Sequence, residues 1–172
     1  MRNLKLLEEI GFDMDDQTKR VLRILEKENE VNEKFLAQAL DTKINAVRKS
    51  LYKLMNSGFV SYTKKRDKKK QWWYLYYWTL NPQRIQDVWL KHKKKELHRR
   101  KKELESEKDV NFECERGCNK FTYDEALEKE FRCPHCDSGM VQVDNEEEIE
   151  SIEKEITDLE KEIKNRRNVK SS

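Results

Sequence analysis

Residues 114–136 read CERGCNKFTYDEALEKEFRCPHC, and the four cysteines of this stretch are the only four in the chain. They fall in two pairs, Cys114-x3-Cys118 and Cys133-x2-Cys136. Between Phe112 and Val143 there are too few apolar side chains to bury a core. A tetrahedral Zn²⁺ held by four thiolates supplies the missing folding free energy, on the order of 10 kcal/mol. All four ligands being thiolates, the coordination shell is closed and no position is left for a reactive water, so the expected role of the single ion is structural. Two other readings of the thiols are open at this point. Disulfides suit a secreted chain, but Met1 to Ile10 carries charges at Arg2, Lys5, Glu8 and Glu9, unlike a leader. Cys133-Pro-His-Cys136 also has the form of a thiol redox motif, which needs a helix beginning at its first cysteine. Here Asp137-Ser-Gly and a short strand, Met140–Val143, follow instead. His135 is expected to be exposed, and Gly117 and Gly139 to serve the knuckle turns. Strands are expected near Val110–Phe112, Phe121–Tyr123, Phe131 and Met140–Val143, with a charged insert at Asp124–Lys129. The pattern is that of a zinc ribbon.

Outward from the ribbon, composition sets the class. The chain has 172 residues, 41% of them charged, a net charge of +3 and a mean hydropathy of −1.11. That length and polarity suit one or two small domains with extended helices rather than one large core. No apolar run approaches the ~20 residues of a transmembrane helix. Charge is unevenly spread: cations crowd Lys64–Lys70 and Lys91–Lys102, and acids crowd Asp144–Glu162. The basic part points to a nucleic-acid or acidic partner. No phosphate-binding loop, nucleophile elbow or H-E-x-x-H motif occurs, and His92 and His98 lack surrounding ligands, so a binding protein rather than an enzyme is expected.

The first half carries helical spacing. Asp15 or Asp16 caps a helix with Val21, Leu22, Ile24 and Leu25 on one side. A second runs from about Asn32 through Leu40. A third follows Asp41-Thr42-Lys43 and buries Ile44, Val47, Leu51, Leu54 and Met55, ending at Gly58. Leu4, Leu6, Leu7 and Ile10 mark an additional N-terminal helix, expected on the outside. After Gly58 the pattern becomes strand: Phe59–Thr63, a charged loop Lys64–Lys70, then Gln71–Leu80, stopped by Pro82. Three helices and a hairpin with a basic tip predict a winged helix-turn-helix. Its third helix offers Asn45, Arg48, Lys49 and Lys53 on the polar face, and its wing offers Lys64, Lys65, Arg66, Lys68, Lys69, Lys70, Trp72 and Trp73.

Two contacts compete. The third helix can read bases in a major groove, or the wing cations can neutralise phosphates without reading sequence. Along the aromatic strand one alternating set, Trp72, Tyr74, Tyr76 and Trp78 or its complement, is expected to be core. The other is a half-exposed row able to stack unpaired bases.

Asn81 caps a helix beginning at Pro82 and running to about Glu107. It carries Ile85, Val88, Trp89 and Leu90 at its start, then Leu97 and Leu104. In the tail, Ile149, Ile152, Ile156, Leu159 and Ile163 fall at a and d heptad positions. This seam either pairs antiparallel with the basic linker or waits for a partner. The expected organisation is a winged helix over 1–81, a helical linker over 82–108, a zinc ribbon over 109–144 and an acidic amphipathic helix and tail over 145–172. The fold class is mainly α with small β.

This order of modules, together with the Tyr76-Tyr-Trp-x-Leu80 strand and the segment Ile44–Leu54, resembles the archaeal transcription factor E family, counterpart of the alpha subunit of eukaryotic general factor IIE. The resemblance spans Leu4 to about Glu147. It implies a basal initiation factor that binds RNA polymerase at clamp and stalk and works with TATA-binding protein and factor B. It implies support for promoter opening, with wing residues near the clamp or the non-template strand. It also implies a monomer when free, located in the archaeal cytoplasm at the nucleoid. The rival expectation is a sequence-specific, duplex-binding winged-helix regulator with a zinc-stabilised accessory domain.

Overall fold

The computed structural model describes residues 2–67, 72 and 74–168, which divide into two compact units, Met1–His92 and Lys93–Ser172.

In the first unit α1 (Arg2–Glu9) precedes α2 (Asp16–Leu25), β1 (Val31–Asn32), α3 (Glu33–Ala39) and α4 (Ile44–Asn56). The Asp15 carboxylate accepts from the Thr18 N–H at 2.7 Å and fixes the start of α2; Asn32 does the same for α3 through the Phe35 N–H at 2.8 Å. The end of α4 is set by Gly58 at φ 74°. Its N–H bonds to the Met55 carbonyl at 2.8 Å and that of Phe59 to Leu54 at 3.0 Å, the paired bonds of a Schellman stop. The hairpin β2 (Val60–Arg66) and β3 (Tyr74–Leu80) follows, and β1 closes an antiparallel sheet in the order β1-β3-β2. Three helices on a three-stranded sheet with a protruding hairpin form a winged helix.

One apolar cluster runs through this unit, including Val21, Leu22, Leu36, Val47, Leu51, Leu54 and Trp78. Leu6 and Leu7 are fully buried in it. The N-terminal helix is therefore part of the core rather than an outer addition; its leucines sit on one side of two turns, and that side is covered. The Thr18 hydroxyl bonds to that of Ser50 at 3.1 Å, so the polar groups buried between α2 and α4 satisfy each other. The long helix α5 (Pro82–Asp109) starts on the Asn81 cap, which accepts from the Arg84 N–H at 3.1 Å. Its Ile85 and Trp89 complete the core, and the Trp89 indole donates to Glu9 at 2.6 Å.

The second unit begins within α5. It contains β4 (Val110–Cys114), β5 (Lys120–Thr122), α6 (Tyr123–Glu128), β6 (Met140–Gln142) and α7 (Glu146–Asn168). Its sheet has the order β5-β4-β6, all antiparallel. The charged insert folds as α6, whose start is set by a reciprocal capping box between Thr122 and Glu125, the T-x-x-E spacing. The strand expected at Phe131 shrinks to a single bridge between Arg132 and Gly139.

Helices α5 and α7 run antiparallel. Lys93 pairs with Glu162 at 3.2 Å, Arg100 with Glu155 at 2.8 Å, Lys101 with Glu160 at 2.6 Å and Lys108 with Glu153 at 2.7 Å. Ile152, Ile156 and Ile163 are buried, and Ile149 and Leu159 are half-buried, so the heptad seam of α7 is covered within this chain. Asn145 closes the hairpin by donating to the Glu107 carbonyl at 2.7 Å.

Candidate metal centre and wing surface

Each cysteine pair sits on a tight turn that backbone bonds hold. The Gly117 N–H bonds to the Cys114 carbonyl at 2.7 Å and the Asp137 N–H to the Cys133 carbonyl at 2.8 Å. Gly117 takes the left-handed conformation at φ 69°, as the first turn requires. In the second knuckle Asp137 takes it, at φ 57°, not Gly139. Gly139 is small for a different reason: a Cβ there would stand 3.3 Å from a Glu115 carboxylate oxygen. The Met140 and Cys133 amides tie the second knuckle to Phe131 and Ser138, at 2.9 Å each.

The four sulfurs of Cys114, Cys118, Cys133 and Cys136 lie within 4.8 Å of one another. Cys136 Sγ is 3.4 Å from Cys114 Sγ and 3.5 Å from Cys118 Sγ. A disulfide would need about 2.05 Å, whereas a tetrahedron with ~2.3 Å metal–sulfur bonds has edges of about 3.8 Å. The donor set therefore fits one thiolate-bound metal ion and is consistent with zinc. No helix begins at Cys133, which removes the context a redox motif needs. The Cys136 thiol is pushed down to about 6, first by hydrogen bonds from the Ser138 hydroxyl and backbone N–H. Cys118 is pushed up to about 12, chiefly by its hydrogen bond to Cys136. The Arg116 N–H also points at Cys114 Sγ, at 3.4 Å. His135 is exposed and is not among the clustered ligands.

On the wing, Lys64, Lys65 and Arg66 belong to β2 rather than to a loop, and all three are exposed. Lys68, Lys69, Lys70 and Trp73 lie outside the described residues; Trp72 is 73% exposed. Residues directly opposite in an antiparallel pair share a face. One face thus carries Tyr62 opposite Trp78, Lys64 opposite Tyr76 and Arg66 opposite Tyr74. Along this face burial falls from Trp78, which is buried, to Tyr76, half-buried, and Tyr74, exposed. Neither alternating set is wholly core, because the hairpin outruns the helices beneath it. Tyr62 packs against both Trp78 and Tyr76, with ring centroids 5.3 and 5.4 Å apart, and Tyr52 of α4 meets Trp78 at 5.9 Å. The Lys64 ammonium lies 5.7 Å from the Tyr76 ring. On the other face Lys65 sits 4.7 Å from the Tyr77 ring and pairs with Glu30.

The third-helix residues Asn45, Arg48 and Lys49 are exposed, but two of its cations are engaged within the fold. Arg48 Nε donates to Glu33 at 2.7 Å, and Lys53 pairs with Asp13 at 2.7 Å. Glu33 also accepts from the Trp78 indole at 3.4 Å, and its partnership raises the Arg48 pKa further. The acids Glu30 and Glu33 and the aromatics Tyr52 and Tyr62 were not singled out by residue pattern. Tyr62 has a signal, two strand positions from Lys64, as does Tyr52, one helical turn after Arg48. The acids pair over long sequence separations, which no local spacing encodes.

The sequence profile of the family described as TFIIE alpha subunit matches residues 5–109. Transcription factor E of Metallosphaera sedula is 37% identical over 150 residues, spanning 87% of this chain and 85% of that protein. Transcription factor E of Thermococcus kodakarensis is 35% identical over 162 residues, spanning 93% and 85%. Transcription factor E of Saccharolobus islandicus strain Y.N.15.51 is 38% identical over 156 residues, spanning 90% and 86%.

Proposed function

The chain belongs to the TFIIE alpha subunit family, and from that premise we propose that it binds RNA polymerase at the promoter and stabilises the open complex. It is a general transcription initiation factor, not an enzyme, and it associates with the transcription machinery. The observation that carries the finer reading is this relationship, which extends through both the winged helix and the ribbon. On this reading the chain contacts the clamp and stalk, acts with TATA-binding protein and factor B, and places its wing near the clamp or the non-template strand. It works in the archaeal cytoplasm at the nucleoid.

The mechanism is a population shift. A factor that binds the open complex more tightly than the closed one favours opening by the difference of its two affinities. The wing is suited to contacts that arise only once strands part, because its aromatics alternate with cations across the hairpin. Lys64, Arg66, Trp72 and the further cations Lys68, Lys69 and Lys70, with Trp73, form this contact. The third-helix residues Asn45, Arg48, Lys49 and Lys53 are secondary, since Arg48 is held by Glu33. One structural Zn²⁺ bound by Cys114, Cys118, Cys133 and Cys136 supplies folding free energy to the ribbon, which serves as a second docking block. Two tethered contacts raise overall affinity without either being strong.

Permanganate reactivity of promoter thymines, with polymerase, TATA-binding protein and factor B present, tests this. Adding the chain is expected to raise the bubble signal on weak promoters, and an unchanged signal would refute the reading. Replacing Lys64, Lys65, Arg66, Lys68, Lys69 and Lys70 by alanine is expected to reduce the gain; normal opening would show that the wing only solubilises. Tight, sequence-specific binding to an isolated duplex would favour the regulator reading instead.

A further inference from the structure

Within the second unit, the two sides of α5 differ in how their charge is met. Towards α7 lie Lys93, Leu97, Arg100 and Leu104, none of them exposed, and the cations among them have glutamate partners on α7. A helix turns once every 3.6 residues, so positions 94, 95, 98, 99 and 102 fall on the opposite side. These are Lys94, Lys95, His98, Arg99 and Lys102, and all five are exposed. No acidic residue interrupts that side between 94 and 102. Arg99 reaches only Glu103, one turn along its own helix, at 3.3 Å. Among the described residues Lys94, Lys95 and Lys102 have no ion pair. An exposed intrahelical pair of the Arg99 kind is weak and does not neutralise a stripe.

We propose that this outer face of α5 is a nucleic-acid contact that tracks the phosphate backbone of duplex DNA without reading its sequence. Three features favour that occupant. The stripe presents four cations and one imidazole, with no Phe, Tyr or Trp to stack a base and no Asn or Gln amide to read one. Its length, about 12 Å from residue 94 to 102 at 1.5 Å per residue, spans about three to four phosphates of one strand at ~3.4 Å of helix axis each. The face is also held straight: pairing with α7 fixes the helix and neutralises the inner cations, leaving the field on one side. This contact lies beyond those assigned to the wing, and its test needs no polymerase.

The test is binding of the full chain to a fluorescein-labelled duplex of arbitrary sequence, followed by anisotropy as NaCl is raised. Two variants of equal net charge are compared. One replaces Lys94, Lys95, Arg99 and Lys102 by glutamine; the other replaces Lys5, Lys27, Lys34 and Lys43, which are exposed elsewhere. Both keep helix-forming side chains, and circular dichroism checks that helix content is retained. The outer-face variant is expected to lower the slope of log K against log salt by about 3 to 4, since each lost phosphate contact accounts for about 0.9. The control variant is expected to leave the slope within about one of the parent. Equal changes in both variants would mean that net charge alone acts and would overturn the proposal. So would an unchanged slope in the outer-face variant, which would assign the stripe to an acidic protein surface instead.

Discussion

The unit over Met1–His92 and the unit over Lys93–Ser172 reach a folded state by different physics. The first buries one continuous apolar cluster, from Leu6 on α1 to Trp89 on α5. The second has no such interior: of the four buried residues at the heart of its ribbon two are Cys114 and Cys133, and Cys118 and Cys136 pack around them. Its hairpin then joins an isoleucine seam on α7 to a partner helix that offers few apolar residues and many cations. Each unit is therefore vulnerable in its own way. An apolar core is lost one methylene at a time, whereas a thiolate centre is lost all at once.

The largest effect follows from that contrast. Stripping metal with a chelator, or Cys133→Ala, is expected to remove on the order of 10 kcal/mol from the ribbon. Two-dimensional amide spectra should lose the dispersed signals of residues 110–143 while those of the winged helix persist. Loss of both sets together would mean that the two units do not fold independently. Metal analysis of the parent should find one zinc per chain.

Next in size is the reciprocal change. Leu51→Ala hollows the winged-helix core at a fully buried position and is expected to cost about 3 kcal/mol. Chemical denaturation should show the first unit melting early, with metal still bound. Ile156→Ala in the α7 seam is expected to cost about 2 kcal/mol of hairpin stability. Arg100→Gln should cost less, about 1 kcal/mol at most, because its partner Glu155 is half exposed to solvent. Helix content during urea titration separates the two; a larger loss from Arg100→Gln would mean that charge, not the apolar seam, holds the hairpin.

These effects also mark what residue pattern discloses. The helix starts at Asp15 and Asn32, the Gly58 stop and the Ile149–Ile163 seam are local signals, read directly from spacing and cap chemistry. The four thiolates are legible because their spacing is a chemical constraint. The Thr122-x-x-Glu125 capping box is present in the sequence, but the short, charged helix Tyr123–Glu128 has no apolar periodicity to mark it. The Glu33–Arg48 and Glu30–Lys65 pairs are hidden because tertiary packing brings them together, and with them goes the knowledge that Arg48 is engaged. The graded exposure from Trp78 to Tyr74 depends on where the helices end beneath the hairpin, which strand alternation does not carry.

The smallest effect lies at the helix caps. The Asp15 carboxylate accepts from the Thr18 N–H, and hydrogen bonds from Thr18 hold its pKa below the ordinary 3.8. A carboxylate lowered in the folded state contributes stability that is complete above the unfolded value. That contribution fades as pH falls through the lower folded value. Asp15→Ala is therefore expected to cost about 1 kcal/mol at neutral pH and progressively less in acid. Asp15→Asn keeps a neutral acceptor for the same amide, so it should retain most of the cap and lose the pH dependence. Thermal melts of the first unit across acidic pH measure both. If Asp15→Ala costs as much in acid as at neutral pH, the ionised carboxylate is not what fixes α2. The first unit would then owe its acid response to other carboxylates, while the second loses thiolates, and with them its metal, on the same descent in pH.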